Sequence, residues 1–76
     1  MTVEWSAAAQ ASALRFMRDQ DGMRAIVAAV DALLEDPYPA DAFHAGEYHR
    51  LRVSHYRVFY RVAGDVITIE RVDRVL

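Results

Sequence analysis

The chain has 76 residues, a formal net charge of −2 and no cysteine. This length predicts one domain, residues 1–76, which buries only about 60% of the surface of its unfolded chain, so we expect marginal stability. The lack of cysteine excludes disulfides and thiolate metal sites, and no apolar run approaches the roughly 18 residues needed to span a bilayer. We therefore expect a soluble, cytoplasmic domain with no membrane contact.

Charge is distributed unevenly along the chain. Residues 1–47 contain three arginines and eight acidic residues, whereas residues 48–76 contain six arginines and three acidic residues. All nine basic residues are arginine, which excludes a lysine as catalytic base but keeps bidentate phosphate binding available. The C-terminal half is predicted to attract an anion locally, although the whole chain has no long-range attraction for nucleic acid.

The N-terminal half predicts a strand followed by two helices. Residues 2–5 are β-prone, and Ser6 is a good N-cap for a helix from residue 7 to about residue 19. The face that this helix buries is predicted to contain Ala7, Ala11, Leu14 and Met17 or Arg18, with Phe16 beside it. A second helix is predicted from Asp21-Gly22 to about Glu35. Its apolar stripe is Met23, Ile26, Val27, Val30 and Leu34.

Residues 36–46 predict a loop, because Pro37 and Pro39 end the second helix. Phe43 is expected to rest on the core. His44 with its two acidic neighbours in this loop is too loosely spaced for a metal site. We therefore predict no metal and no cofactor.

In residues 48–62, largely apolar positions alternate with positions that are mostly arginine, and this two-residue period is that of a strand. If Ser54 and His55 form a turn, Val53 lies opposite Tyr56. One face of this hairpin then carries a layer fit for a core: His49, Leu51, Val53, Tyr56, Val58, Tyr60 and Val62. The other face carries Tyr48, Arg50, Arg52, Arg57, Phe59 and Arg61.

The arginine-bearing side of this hairpin is the most informative feature of the sequence. Arg52 opposite Arg57 places like charges together, which weakens a sheet. Arginines around an aromatic ring suit phosphate and base binding, so we predict phosphate or RNA contacts by Arg50, Arg52, Arg57, Phe59 and Arg61. The alternative is a solvated surface whose arginines pair with acidic neighbours or with an acidic partner peptide.

Gly64-Asp65 predicts a turn into a last strand. Regular pairing then places Phe59 opposite Glu70. Unbroken alternation would bring Arg74 to the arginine-bearing side and Arg71 to the other side.

The predicted fold class is α+β with the order β-α-α-β-β-β, a helical hairpin packed on one face of an antiparallel sheet. The first strand should run antiparallel to the second, unless it docks at the other edge of the sheet.

Six stretches of the chain resemble the RelE/ParE toxin superfamily of type II toxin–antitoxin modules: residues 3–6, 33–37, 50–53, 56–62, 66–69 and 71–74. The resemblance covers almost the whole chain and implies the same RelE-like fold. It also implies a cognate antitoxin with which the toxin forms a hetero-oligomer.

Family members that are similar to RelE cleave messenger RNA in the ribosomal A site. The resemblance implies phosphate binding at Arg50 and catalytic roles for Arg52, Arg57 and Arg74, through electrostatic stabilisation of the phosphate. The general acid and base stay unassigned, because His55 lies at the predicted turn and the family's tyrosine or histidine beyond the last strand has no counterpart in these residues. The ParE branch instead inhibits DNA gyrase through protein contacts. The sequence therefore predicts a toxin that cleaves messenger RNA with the ribosome as partner, through its arginine-rich phosphate site; the alternatives are a toxin that inhibits DNA gyrase without cleaving RNA and a catalytically weak antitoxin-binding module.

Overall fold

The computed structural model describes residues 1–75 and contains seven regular elements. In chain order they are β1 (Thr2–Trp5), α1 (Ala7–Leu14), α2 (Gln20–Ala32), β2 (Phe43–Ala45), β3 (Tyr48–Val53), β4 (Tyr56–Ala63) and β5 (Val66–Arg74). The α+β class and the predicted order of elements are confirmed, with β2 as one additional strand. Within residues 1–75, neither helix is long and apolar enough to cross a membrane.

The strands form one sheet in the order β1-β5-β4-β3-β2. β3, β4 and β5 make the predicted antiparallel meander, and Val53 pairs with Tyr56 and Arg52 with Arg57 as expected. β1 takes the second of its two predicted positions. It docks at the far edge, parallel to β5, which makes the sheet mixed.

α1 lies along β5, and it begins where β1 ends. The Ser6 hydroxyl caps α1 by accepting from the Ala9 amide at 3.0 Å, and it donates to the Glu70 carbonyl of β5 at 3.1 Å. Further along, the Ser12 hydroxyl accepts from the Val72 amide at 3.0 Å. α1 therefore covers the backbone edge of β5 that β1 is too short to pair.

α1 is shorter than predicted, and its predicted buried face is wrong. After Leu14 the hydrogen bonds tighten to i→i+3, which directs Phe16 onto the Tyr56 ring at a centroid distance of 5.2 Å. Leu14 and Met17 are 64% and 59% exposed, whereas Ala9 is fully buried. Only small side chains fit between α1 and β5, because the helix approaches the strand closely enough for serine-to-backbone hydrogen bonds.

α2 packs across β3 and β4 and begins at Gln20, slightly earlier than predicted. Ile26 and Val30 are buried as expected, but the third apolar contact is Leu33, 1% exposed, rather than Leu34. Val27 is 53% exposed. The spacing i, i+4, i+7 of the buried residues gives a narrower stripe than the sequence suggested, because the sheet contacts only one side of the helix.

The core lies between the helices and one face of the sheet, and its apolar residues are Ala9, Ile26, Val30, Leu33, Leu51, Val53, Tyr56, Val58, Tyr60, Ile67, Ile69 and Val72. The hairpin residues among these are those predicted from the alternation. The opposite face of the sheet carries the arginines.

Candidate functional site

We call the side of the sheet opposite α2 the arginine face, and its cross-strand rows follow from the strand register. The middle row crosses four strands: Phe43, Arg50, Phe59 and Arg71. The row nearest the β3–β4 turn consists of Arg52, Arg57 and Asp73. The row towards the other end includes Ala45, Tyr48, Arg61 and Thr68.

The middle row alternates aromatic and guanidinium groups. The Arg50 guanidinium carbon lies 4.8 Å from the Phe43 ring centroid, and that of Arg71 lies 4.3 Å from Phe59. A third stack joins Arg61 to Tyr48 at 5.6 Å. Such contacts occur about once per 70–80 residues, so three of them on one face of this chain mark a concentrated feature.

Phe43 was predicted to rest on the core, and this prediction is wrong. β2 pairs Phe43 with Arg50, which puts the ring on the arginine face, where it is 55% exposed. The sequence offers little signal for β2, because a three-residue strand is too short for periodicity to be read. Its position was decided by pairing with β3.

A β-bulge in β5 overturns the predicted register beyond residue 69. Tyr60 pairs with Ile69, but Phe59 pairs with Arg71 rather than with Glu70. The extra residue brings Arg71 to the arginine face and leaves Arg74 opposite Tyr56, on the helix side of the sheet. The predicted placement of Arg74 beside the other arginines is therefore wrong. The bulge lies where α1 replaces β1 along the edge of β5.

Two of the five arginines on the arginine face bind carboxylates. Arg61 Nε lies 3.0 Å from Glu70 Oε1, and its Nη1 lies 4.0 Å from Glu47 Oε2. Arg71 Nε lies 3.0 Å from Asp73 Oδ2. For these two positions the alternative interpretation of the sequence, pairing with acidic neighbours, is the one found.

The other three arginines, Arg50, Arg52 and Arg57, have no carboxylate within 4.0 Å among residues 1–75. Arg52 and Arg57 are directly opposite each other, as predicted. Arg52 Nε donates to the Ser54 carbonyl at 2.7 Å, across a turn in which Ser54 has a positive φ of 54°. Arg52 and Arg57 therefore place two guanidinium groups side by side at this end of the face.

A groove of about 480 Å³ lies beside the middle row. Its lining residues come from α1 and four strands or their connections: Ala8, Ala45, Tyr48, Arg50, Phe59, Glu70 and Arg71. The apolar parts of the groove are aromatic and alanine side chains, and both residues of the bulge face it. Sequence reasoning missed Arg71 as a site residue because an unbroken register keeps Glu70 on this side of the sheet and places Arg71 on the other.

A second polar cluster lies on the helix side, where Tyr56 donates to Asp19 Oδ2 at 2.7 Å. Asp19 also caps α2 by accepting from the Gly22 amide at 2.9 Å. The hydrogen bond from Tyr56 and then that from Gly22 lower the pKa of Asp19, and the bond to Asp19 together with burial raises the pKa of Tyr56. This cluster joins the start of α2 to β4.

On the helix side of the sheet, aromatic stacking joins β2 to β3 and β4. His44 and His49 stack at 4.6 Å with an angle of 13°, and His49 stacks on Tyr60 at 5.2 Å. Burial, and then the proximity of His44, lowers the pKa of His49. No group of three His, Cys, Asp or Glu residues in positions 1–75 is arranged to hold a metal ion.

Comparison with known proteins agrees with this fold. The family model for the ParE toxin of the type II toxin–antitoxin system parDE matches residues 3–75. A chain from the chromosomal ParDE system of P. aeruginosa has a TM-score of 0.82 at 20% identity, covering 100% of this chain and 97% of that chain. YafQ from E. coli strain BL21(DE3) has a TM-score of 0.74 at 15% identity, with 95% and 90% covered. No curated protein matches the sequence. The family match confirms the resemblance seen in the sequence: the chain belongs to the ParE toxin family of type II toxin–antitoxin systems.

Proposed function

We propose that this toxin arrests growth by binding DNA gyrase through protein contacts, in the cytoplasm, and does not cleave RNA. The family match shows that the protein is a toxin of a type II toxin–antitoxin system, which implies an antitoxin partner. The target of the toxin, DNA gyrase, is what we propose. Gyrase inhibition is what resemblance to the ParE branch implies.

The ion pairs on the arginine face are the observation that carries this proposal. Arg61–Glu70 and Arg71–Asp73 neutralise the centre of the face at 3.0 Å each. A messenger RNA strand brings one negative charge per nucleotide, and its affinity for a protein comes largely from the phosphates that lysine and arginine side chains neutralise. A surface with both signs of charge, aromatic rings and arginines has the composition of a protein-binding surface.

A specific observation favours ribosome-dependent cleavage of messenger RNA as the second candidate. Arg52 and Arg57 face each other across two strands, Arg50 is one row away, and none of the three is neutralised within residues 1–75. Such a group could stabilise the charge that develops on a phosphate. Glu70 and Asp73, the carboxylates of β5 on this face, are paired with Arg61 and Arg71, so neither is free to take or give the proton.

Two activity assays on the purified protein separate these functions. Gyrase-catalysed supercoiling of relaxed plasmid tests the first, and cleavage of messenger RNA on programmed ribosomes tests the second. We expect loss of supercoiling with intact RNA. Cleaved RNA with normal supercoiling would overturn the proposal in favour of the second candidate.

Arg57→Ala identifies the surface involved, and Arg24→Ala is the matched control. Arg24 is an exposed arginine on α2 that pairs with Asp21 at 3.2 Å, so its removal makes the same charge change away from the arginine face. We expect Arg57→Ala to abolish growth arrest on induction and Arg24→Ala to leave it unchanged. A fully toxic Arg57→Ala variant would show that the arginine face does not bind the target.

A further inference from the structure

We propose that the outer side of α2, which points away from the sheet, is a self-association surface through which two copies of this chain pair antiparallel about a two-fold axis. This inference does not depend on gyrase as the target, because α2 and the arginine face lie on opposite sides of the sheet. A dimer formed in this way leaves both arginine faces exposed.

A shallow groove of about 390 Å³ runs along the outer side of α2, and its lining residues are Met23, Arg24, Val27, Ala28 and Asp31. The last four have the spacing i, i+3, i+4 and i+7, so they are neighbours on one face of the helix. In knobs-into-holes packing, four residues of one helix form the hole that accepts a side chain of the facing helix. The groove therefore has the shape that receives a second helix.

The centre of this groove is apolar and exposed to solvent. Val27 is 53% exposed, although the amphipathic pattern of α2 predicted its burial, and Ala28 is exposed beside it. A second helix that covered these two side chains would remove apolar surface from water. The small side chain of Ala28 allows the two helix axes to approach to about 8 Å, the close end of the usual range.

The charged ends of the groove select a second copy in the antiparallel orientation. Arg24 lies three residues before Val27, and Asp31 lies three residues after Ala28. A two-fold axis between Val27 and Ala28 therefore places Arg24 of each copy opposite Asp31 of the other. A two-fold contact requires such a self-complementary patch, in which residue i meets residue j and j meets i. Parallel helices would instead bring like charges together.

Both charged groups have capacity for this contact. Asp31 has no arginine or histidine within 4.0 Å among residues 1–75. Arg24 contacts Asp21 at 3.2 Å, and a guanidinium has five N–H donors, so others can bind a second carboxylate. Exposed ion pairs add little affinity, but complementary charges fix the register and exclude mismatched partners.

The same surface disfavours nucleic acid and an acidic peptide. The exposed carboxylates of Asp21, Asp31 and Glu35 outnumber the one arginine of α2, and they would repel phosphates or the carboxylates of such a peptide. In the antiparallel pair, by contrast, Glu35 lies opposite the uncharged Gln20, since the two are equally distant from the two-fold axis. A second copy is therefore the partner that matches the charges.

The contact between the two copies is small. α2 has 13 residues and is about 20 Å long, so one helix from each copy buries less than the roughly 1,600 Å² of a standard interface. We therefore expect monomer and dimer to be in reversible equilibrium at micromolar concentrations of the protein.

A charge-swap experiment followed by sedimentation velocity tests this contact. Arg24→Asp gives the groove two carboxylates and Asp31→Arg gives it two guanidiniums, so neither variant matches itself. Their equimolar mixture can pair, because each copy then meets its opposite charges, and the double variant R24D/D31R is again self-complementary. Val27→Glu tests the apolar centre. Arg57→Asp is the matched control, with the same change on the arginine face.

We expect wild type, the equimolar mixture and the double variant to dimerise with similar dissociation constants. Each single charge variant and Val27→Glu should weaken self-association by roughly tenfold or more. Arg57→Asp should leave it unchanged. The substituted positions on α2 are exposed, so the variants should fold, which circular dichroism checks.

A wild-type protein that stays monomeric up to near-millimolar concentration would overturn the proposal. So would single charge variants that still dimerise, or an equimolar mixture that does not. Loss of the dimer in Arg57→Asp would place the contact on the arginine face instead. A monomeric toxin whose Val27→Glu variant binds the antitoxin more weakly would show that the antitoxin, and not a second copy, covers α2.

Discussion

β4 contributes to two surfaces with opposite chemistry. The buried surface stabilises the fold, and the arginine face is available to bind a partner. Tyr56, Val58 and Tyr60 point towards the helices and have no exposed surface. Their neighbours Arg57 and Phe59 lie on the arginine face. The buried side satisfies its polar atoms completely, since residues 1–75 contain no buried side-chain nitrogen or oxygen without a hydrogen-bond partner. The arginine face instead leaves cations that an external partner can neutralise.

This comparison predicts that substitutions on the two sides of one strand have separable effects. Those on the helix side should change the free energy of unfolding, and those on the arginine face should change binding and toxicity. Four substitutions test the separation in order of decreasing effect on stability.

The largest expected effect is that of Tyr60→Ala. Tyr60 is fully buried and donates to the Pro37 carbonyl at 2.9 Å, so truncation leaves a cavity and removes the partner of a carbonyl. We expect the free energy of unfolding to fall by about 3–5 kcal/mol, as for other large-to-small aromatic changes. Urea denaturation measures it, with Phe59→Ala as the comparison on the arginine face. Equal losses for the two variants would contradict the division between the faces.

Gly22→Ala should also destabilise, although alanine is usually the better helix former. A Cβ at this position would lie 2.3 Å from Asp19 Oδ2 and 2.7 Å from the Tyr56 ring. Overpacking of this kind costs about 1–3 kcal/mol and outweighs a propensity gain of about 1 kcal/mol. The denaturation midpoint should therefore fall. A raised midpoint would show that α2 does not contact β4 this closely.

Tyr56→Phe should have a smaller effect that depends on pH. The hydrogen bond from Tyr56 lowers the pKa of Asp19 below 3.8, so its contribution to stability is present above pH 3.8 and is lost as pH falls through the lower folded value. We expect the variant to be less stable than wild type at neutral pH and the difference to shrink below pH 3.8. Denaturation midpoints between pH 2 and pH 7 measure this difference, and one that grows on acidification would contradict the assignment.

The same linkage between pKa and stability predicts that the free energy of unfolding falls at alkaline pH. Burial raises the pKa of Tyr60 to about 12, so the stability it contributes is complete below its ordinary value of 10.0 and is lost as pH rises towards 12.

The smallest expected effect on stability is that of Arg57→Ala. Surface changes away from special features usually lie within about 0.5 kcal/mol, and removing one of two opposed arginines relieves repulsion. The melting temperature should be equal to that of wild type or slightly higher, as calorimetry would show. A clear decrease would indicate that Arg57 has a structural role.

Most of the hairpin could be predicted because its information is local. A side-chain period of two and a two-residue turn assign Leu51 and Val58 to the core and Arg52 and Arg57 to the other face, and the structure agrees. The residues outside the hairpin also predicted the order of elements, and the family resemblance implied the same fold. The roles proposed for individual arginines stay predictions.

The parts that could not be predicted depend on residues far apart in the chain. The length of α1 and its buried side depend on contacts of Ser6 and Ser12 with β5, 64 and 60 residues away. The position of Phe43 depends on the pairing of a three-residue strand.

The sequence by itself determined the class of fold, the register of β3 against β4 and the existence of an arginine-bearing surface, because alternation and turn chemistry act between near neighbours. Only the tertiary structure decided which arginines that surface contains. A bulge in β5, where α1 takes over from β1, brings Arg71 and Asp73 to that surface in place of Val72 and Arg74, so one inserted residue changes both the charge and the shape of the site. Register beyond a bulge depends on the packing of distant elements, and no local pattern in residues 66–74 encodes it.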